Sequence, residues 1–466
     1  ATEQPNGRKI VKDTKGIIHI VFSDGNNIMY TKSNANQNTD FIIPIIIVSG
    51  DNLQHCALAI DSNNNLHLVW DEDEQEIYYK KCINGIWNNN IFNISDTPKD
   101  KSRFPSIVVD NNNNVQVFWE DRFRSENQSN IFYRKYNAIT ENWLVVTQIN
   151  NSFNKKSAMV DVDKDSQNNL YVVWGEYNNA GIGQDGVNIS MRKYNSKDEI
   201  WEPIISNLSN TNYWSCEPNI IIDNNDVIHL SWGDAILSDT GIVIEEKIYY
   251  RKCVNGIWDQ KNTIIGNFSN LRSFCPSLSY DNNNNIYCTW FTGSYDVSND
   301  TEIYYRQKKI SEEWGEIINI SNSIDKNNYC PSSAKKIDEK IDIVCAENTV
   351  DKFFNVIYYS HEIDTNIDKK IFYNNKIGNS YPNPFNPECY IPLEITNNKS
   401  SNINAKIKIY NILGQVVREV ITNNANNSVY WDGRDNLGKE ISSGMYFYET
   451  IIDNKTQNCK KMLMLK

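Results

Sequence analysis

Six carboxylates recur at one position of a repeated pattern. Asp24, Glu72, Asp121, Glu176, Asp234 and Glu347 each stand two residues after a recurring large side chain, and Thr292 takes that place in the remaining copy. Carboxylates brought from separate repeats to one opening would form an oxygen-rich ring, which attracts Ca²⁺ or cationic groups. Crowding would also raise the pKa of each carboxyl. The local alternative is that each carboxylate caps backbone amides of its own loop. A second set precedes the repeats: Arg103, Tyr213, Trp214, Arg272, Phe274 and Tyr329. Aromatic faces at a channel mouth suit stacking on sugar rings, and arginine suits bidentate pairing with a carboxylate ligand. Packing beneath the neighbouring repeat is the alternative for these side chains. Arg122 and Arg124 are candidate helpers. No cofactor is implied, and Ca²⁺ is the one candidate ion.

The elements that must position these groups are legible as repeats. Leu66–Trp70, Val115–Trp119, Leu170–Trp174, Ile228–Trp232 and Ile286–Trp290 are apolar runs ending in Trp, and each follows an Asp nine residues upstream: Asp61, Asp110, Asp165, Asp223 and Asp281. Between Asp and run lies an Asn-rich turn, suited to left-handed backbone and side-chain-closed turns. Ile18–Phe22 after Asp13 and Ile341–Cys345 after Asp338 complete the set. The anchors Phe22, Trp70, Trp119, Trp174, Trp232, Trp290 and Cys345 are spaced 48, 49, 55, 58, 58 and 55 residues apart. A third strand recurs at Ile77–Lys80, Ile131–Arg134, Ile189–Arg192, Ile248–Arg251, Ile303–Arg306 and Ile357–Tyr359, and a fourth strand opens near Trp87, Trp143, Trp201, Trp258 and Trp314. Pro105, Pro218, Pro276 and Pro331 read as the openings of first strands. Seven four-stranded units at this period predict an all-β, seven-bladed propeller over residues 1–375.

The blade pattern resembles the sialidase-type, or BNR-repeat, propellers, whose turns carry Ser-x-Asp-x-Gly-x-x-Trp. The turns Cys82–Trp87 and Cys253–Trp258 keep the Gly and Trp, lose the Ser and shorten the spacing. Arg103-Phe104-Pro105 is similar to the Arg-Ile-Pro motif that supplies a carboxylate-binding arginine in that family. A sialidase-like glycoside hydrolase would therefore use Arg103. The other members of that catalytic set find no match in the chain.

From Asn379 the pattern changes. Tyr381–Pro387 is a Pro-punctuated entry that suits neither helix nor central strand. Alternating strands with turn residues follow: Tyr390–Ile395, Ala405–Gly414, Val429–Gly433, Ser443–Tyr448 and Met462–Lys466. Residues 376–466 therefore read as a small immunoglobulin-like β-sandwich. The Tyr-Pro-Asn-Pro-Phe-Asn-Pro opening, Tyr410–Gln415, Trp431-Asp-Gly433 and Ser443–Phe447 closely resemble the type A C-terminal sorting domain of the type IX secretion system. That resemblance implies outer-membrane secretion machinery as a partner and a secreted or cell-surface location.

The 466 residues carry 46 Lys and Arg against 58 Asp and Glu, a net charge of -12, which argues against binding a nucleic-acid backbone. No apolar run approaches the roughly 20 residues of a membrane-spanning helix. The ten cysteines include no Cys-x-x-Cys pair. Cys275 and Cys330 share one register just before Pro, where a disulfide and a pair of buried thiols are both open readings. Cys389 and Cys459 could pair if the first and last strands of the tail are neighbours. His19, His67 and His229 occupy one repeat position and read as buried structural residues. The leading expectation is a non-catalytic, exported propeller binding a glycan or other surface ligand. The candidate contacts are Glu72, Asp121, Glu176, Asp234, Glu347, Arg103, Arg122, Trp214, Phe274 and Tyr329. The rivals are a sialidase-like hydrolase and a self-assembling surface component.

Overall fold

A computed structural model of the chain describes residues 7–34, 37–96, 101–123, 128–150, 155–178, 187–211, 213–237, 243–268, 271–293, 301–322, 327–338, 340–348, 354–362, 367–372, 383–392, 405–422, 428–452 and 455–465. All regular elements among them are β-strands. Among the described residues, no helix is long and apolar enough to cross a membrane. The chain divides into two compact units, Ala1–Phe372 and Tyr373–Lys466.

In the larger unit an antiparallel strand sequence A-B-C recurs seven times. Strand B is Ile18–Ser23, Leu66–Glu72, Val115–Phe123, Leu170–Asn178, Ile228–Leu237, Ile286–Gly293 and Lys340–Asn348 in repeats 1 to 7. Each pairs with a preceding strand A and a following strand C. The fourth strand is short, reduced in repeat 2 to Ile86–Trp87 and Phe92–Asn93. The Asp nine residues before the anchor closes the A–B turn. Asp110 Oδ1 accepts the amides of Asn112 and Asn114, and Asp61, Asp165 and Asp281 do the same in their repeats. The other carboxylate oxygen holds the repeat position shared by the histidines: His67 and His229 at 3.3 Å, Tyr171 at 3.2 Å and Tyr287 at 3.0 Å. The histidines are thus structural. Burial pushes His19 down to about 4, against the opposing pull of Asp13.

Apolar side chains of each repeat pack on the next. One core joins Val21 and Tyr30 of repeat 1 to Leu58, Leu68 and Trp70 of repeat 2. Others join Val69 and Tyr79 to Val117 and Trp119, Phe118 and Tyr133 to Val172 and Trp174, and Val173 and Met191 to Leu230 and Trp232. Next come Ile221 and Tyr250 with Cys288 and Trp290, then Tyr287 and Tyr305 with Ile343 and Cys345. The last core packs Val344 and Tyr358 of repeat 7 on Ile20 and Phe22 of repeat 1. Propeller sheets bury both faces in this way, each against a neighbour, so the anchor tryptophans are wedged between repeats.

A belt of polar bonds on strand A follows the same circuit. Leu58 N–H donates to Arg8 O (2.6 Å), and Phe104 N–H to Asp71 Oδ2 (3.3 Å). Ser106 Oγ and Asn219 Nδ2 donate to Asp161 (3.0 and 2.8 Å), and Leu278 N–H to Asn219 Oδ1 (2.7 Å). Ser333 N–H donates to Ser277 Oγ (3.0 Å) and Lys9 N–H to Ser332 Oγ (3.0 Å), returning to repeat 1. At the A–B turn end, Lys335 of repeat 7 pairs with Asp163 of repeat 4 at 2.6 Å. Arg8 reaches Ser333 O and Leu278 O while facing Asp161 and Asp163.

The smaller unit has a two-stranded sheet, Cys389–Pro392 with Ser428–Trp431, and a four-stranded sheet of Val416–Thr422, Ala405–Tyr410, Gly444–Ile452 and Lys455–Met464. Phe385, Ile391, Ile407, Ile409, Trp431, Tyr448 and Met462 form its core. The Trp-Asp-Gly turn requires its glycine: Gly433 has φ 69°, and a Cβ there would lie 2.5 Å from Pro387 O. Cys389 is a buried free thiol, and its strand lies in a different sheet from the strand carrying Cys459, so the adjacency their pairing required is absent.

Candidate ligand-binding site

In repeats 2 to 7 strand A breaks its ladder at the same place, and Gly7, ahead of the first strand A, shares the backbone conformation found there. Gly7, His55, Phe104, Met159, Glu217, Cys275 and Cys330 all have φ between 44° and 58°. In repeats 2 to 7 the pairing register shifts around that residue. These are bulges, and Pro105, Pro218, Pro276 and Pro331 follow four of them. Proline has no N–H for the ladder and is confined to such places. The prolines therefore do not open strand A: in repeat 3 it starts at Lys101 and runs through Pro105 to Val109. Arg103, Trp214, Arg272, Phe274 and Tyr329 accordingly sit on strand A rather than in the loops before it. Glu72, Asp121, Glu176, Asp234 and Glu347 likewise sit on strand B, because the ladder persists beyond the anchor, whereas Asp24 lies just past the end of its strand.

The residue before each bulge pairs with the residue after each anchor. The pairs are Gln54–Asp71, Arg103–Glu120, Ala158–Gly175, Cys216–Gly233, Phe274–Phe291 and Tyr329–Ala346. The backbone repeats while the contents differ. Repeat 6 is filled by Phe274 stacked on Phe291 at 5.0 Å, and Tyr329 meets the edge of Phe291 at 5.7 Å. Phe274 is only 6% exposed and offers no free stacking face. Repeats 4 and 5 carry small residues at these positions. A Cβ on Gly175 would meet the Tyr177 ring at 3.4 Å, and one on Gly233 would meet Glu246 Oε1 at 3.1 Å.

Polar groups gather beside the small pairs. Arg103 Nη2 lies 3.2 Å from Glu120 Oε1 and its Nη1 3.4 Å from Glu74. Arg122 Nε donates to the same Glu120 oxygen at 2.8 Å. Burial pushes Glu120 up to about 7 despite Arg103. Tyr177 feels the charges of Glu120, Cys216 and Glu217. Burial, reinforced by those groups, pushes its phenol well above the usual value, and the Trp214 ring stands edge-on at 6.1 Å. In repeat 5, ligating atoms of Cys216, Glu217 and Glu246 lie within 4.8 Å of one another. Burial and the Glu217 charge hold the Glu246 carboxyl well above its usual range, and Arg272 Nε stands 3.8 Å away. On the other side, His55 Nδ1 lies 2.6 Å from Asp71 and its ring meets Phe104 at 4.3 Å.

The six recurring carboxylates have local partners. Asp24 accepts the amides of Asn26 and Asn27. Ser102 donates to Asp121 at 3.4 Å, and Ser215 to Asp234 at 3.0 Å. Ser190 donates to Glu176 at 2.6 Å, with Lys155 at 3.2 Å. Glu347 is fully buried opposite Asn328 on strand A, and Glu72 faces Gly50. Where Thr292 replaces the carboxylate, its hydroxyl accepts the anchor Trp290 indole N–H at 3.0 Å and meets Ser273 at 2.9 Å. Burial pushes Asp234 up to about 6. In repeats 3, 5 and 6 the position therefore bonds a serine on strand A of its own repeat. Arg103 and Arg122 are brought together through Glu120, and Arg124 lies outside the described residues. Glu120, Tyr177, Glu217 and Glu246 were not singled out from the sequence. For Glu120 the available signal is comparative: a charge where repeats 4, 5 and 7 carry Gly175, Gly233 and Ala346.

Residues 379–465 match the family described as secretion system C-terminal sorting domain. The C-terminal segment is a type IX sorting tail. The protein is thus exported to the cell surface or secreted, and its tail engages the type IX machinery. No curated protein matches the chain. A solved structure of a PL25 polysaccharide lyase, an ulvan lyase, superposes at TM-score 0.59 with 10% identity, covering 79% of this chain and 95% of its own. The same enzyme type bound to -[GlcA(1-4)Rha3S]- superposes at 0.55 with 10% identity, covering 79% and 97%. These likenesses establish the fold of the larger unit as a β-propeller.

Proposed function

We propose that the protein is an exported seven-bladed propeller, residues 1–375, that binds a carbohydrate at one mouth of its channel without cleaving it. Residues 376–466 form the immunoglobulin-like module that directs export. One observation carries this reading: among equivalent strand-A/strand-B pairs, repeats 4 and 5 hold only Ala158–Gly175 and Cys216–Gly233. Filled or ion-paired positions flank them. Side chains left small at one sector of a repeating ring leave room for a ligand, and convergent carboxylates, Arg103, Arg122, Arg272 and Trp214 supply the hydrogen bonds and apolar surface that sugars use. The opposite end of the channel is bridged by Lys335–Asp163. Polysaccharide is also the ligand class of the fold neighbours.

The non-catalytic reading follows from Tyr177. A phenolic base needs a cation to lower its pKa, whereas Tyr177 faces two glutamates and a thiol that raise it. The hydrolase reading retains one support, Glu120, whose value near 7 suits a proton donor. Isothermal titration against a polysaccharide panel, with fluorogenic glycosides assayed in parallel, tests both readings. Saturable binding without turnover is expected, and it should be lost in Gly233→Leu. Absence of binding across the panel overturns the carbohydrate assignment. Turnover lost in Glu120→Gln would replace it with the hydrolase.

A further inference from the structure

The bulge residues of repeats 6 and 7 are both cysteines. Cys275 and Cys330 have φ 49° and 44° on neighbouring strands A, and their Sγ atoms stand 3.1 Å apart. They are 3% and 7% exposed. Even carbon atoms are best separated by roughly 3.5–4.0 Å, so two larger sulfurs at this spacing are pressed together. A disulfide spans about 2.05 Å, and closing about one ångström would turn that crowding into a bond. The sorting tail takes the chain out of the reducing cytosol into oxidising surroundings, where such bonds persist. We propose that Cys275 and Cys330 form a disulfide that locks repeats 6 and 7 together in the exported protein.

The chemistry needs a disulfide oxidant. Deprotonated Cys275 attacks one oxidant sulfur, expelling the other as a thiolate. Deprotonated Cys330 then attacks the Cys275 sulfur of the mixed disulfide and expels the second oxidant thiolate. The cysteine pair loses two electrons, the oxidant gains them, and the two cysteine protons end on the released thiols. In the packed ring both sulfurs are buried, and burial holds the Cys275 thiol well above its usual value. Exchange therefore precedes final packing, and the finished bond is shielded from reductant. The bond would close a loop of 55 residues around repeat 6 and fix the strand that carries Arg272 and Phe274.

The test uses the full chain recovered from an exporting host, denatured without reductant, alkylated with iodoacetamide and digested. The expected product is a cross-linked peptide pair through Cys275 and Cys330, two hydrogens short of the separate peptides and released by a phosphine reductant. Protein refolded with the reductant should melt roughly 5 °C lower. Cys275→Ser and Cys330→Ser should each melt at that lower temperature and ignore the reductant. Alkylation of both cysteines in the never-reduced protein overturns the proposal. Should the variants fail to fold, the peptide map of the unsubstituted chain decides the question.

Discussion

Repeats 3 to 5 and repeats 6 to 7 use the same backbone device for opposite ends. In both sectors strand A turns through a left-handed bulge and presents the preceding side chain to the residue after the strand-B anchor. In repeat 6 two phenylalanines close that space. In repeats 4 and 5 the pairs Ala158–Gly175 and Cys216–Gly233 leave it to Tyr177 and Glu246, and in repeat 3 Arg103 pairs with Glu120. The symmetric parts of the ring make structure, and function has to be sought where one sector departs from its siblings. The outward similarity of the six carboxylates hides this. Asp121 and Asp234 each accept a bond from a serine of their own strand A, and Thr292 can take that place because its hydroxyl meets Ser273 in the same way.

The comparison breaks most visibly in the filled sector. Phe291→Ala should destabilise the propeller by about 3–5 kcal/mol, as removal of a buried ring does, and leave ligand affinity unchanged. Urea melts and titration of the same sample check this, and lost affinity would place the ligand in repeat 6.

Arg103→Ala should cost about 3 kcal/mol near neutral pH, because it strands the buried Glu120 carboxylate. The loss should shrink on acidification as Glu120 takes up a proton. A penalty independent of pH would mean that Arg103 acts by packing on Phe104, which it overlies at 4.3 Å.

A smaller effect is the pH profile of the native protein. Glu120 is raised to about 7, and Asp161 and Asp234 to about 6, by burial. The folded state binds these protons more tightly than the unfolded chain, so their contribution to stability is present at low pH. It is lost as pH rises from the unfolded values through 6 and 7, by up to about 1.4 kcal/mol per unit for each group. His19, lowered to about 4, opposes them: its contribution is lost as pH falls from its ordinary value toward 4. Glu120→Gln should flatten the melting-temperature slope near pH 7, and an unchanged slope would remove Glu120 as its source.

The smallest change in stability belongs to Gly233→Ala, whose new methyl would sit 3.1 Å from Glu246 Oε1. We expect less than about 1 kcal/mol in stability and a measurable fall in carbohydrate affinity. Unaltered affinity would move the ligand away from repeat 5.

The hairpins were readable from one chain because their determinants are local. An Asp closes a turn four residues long, an alternating run follows, and an aromatic anchor ends it, all within ten residues. The sorting tail was readable for the same reason, as several short motifs in fixed order. The site was less legible. Arg103 and Trp214 stand out by type, yet a first strand that opens at proline leaves them ahead of it, because a bulge that lets a strand carry proline without ending leaves no plain mark in composition. Glu120 and Tyr177 looked like ordinary strand residues, since a charge beside a Trp says nothing of what faces it.

The amino-acid sequence by itself determined the repeating hairpins, their sevenfold count of anchors and the address of the protein, because each depends on residues close along the chain. Tertiary structure alone decided which repeats bring small side chains together and which bring large ones, and that two cysteines 55 residues apart touch. Those properties depend on which side chains from separate repeats share one volume, and volume is settled only when the ring closes.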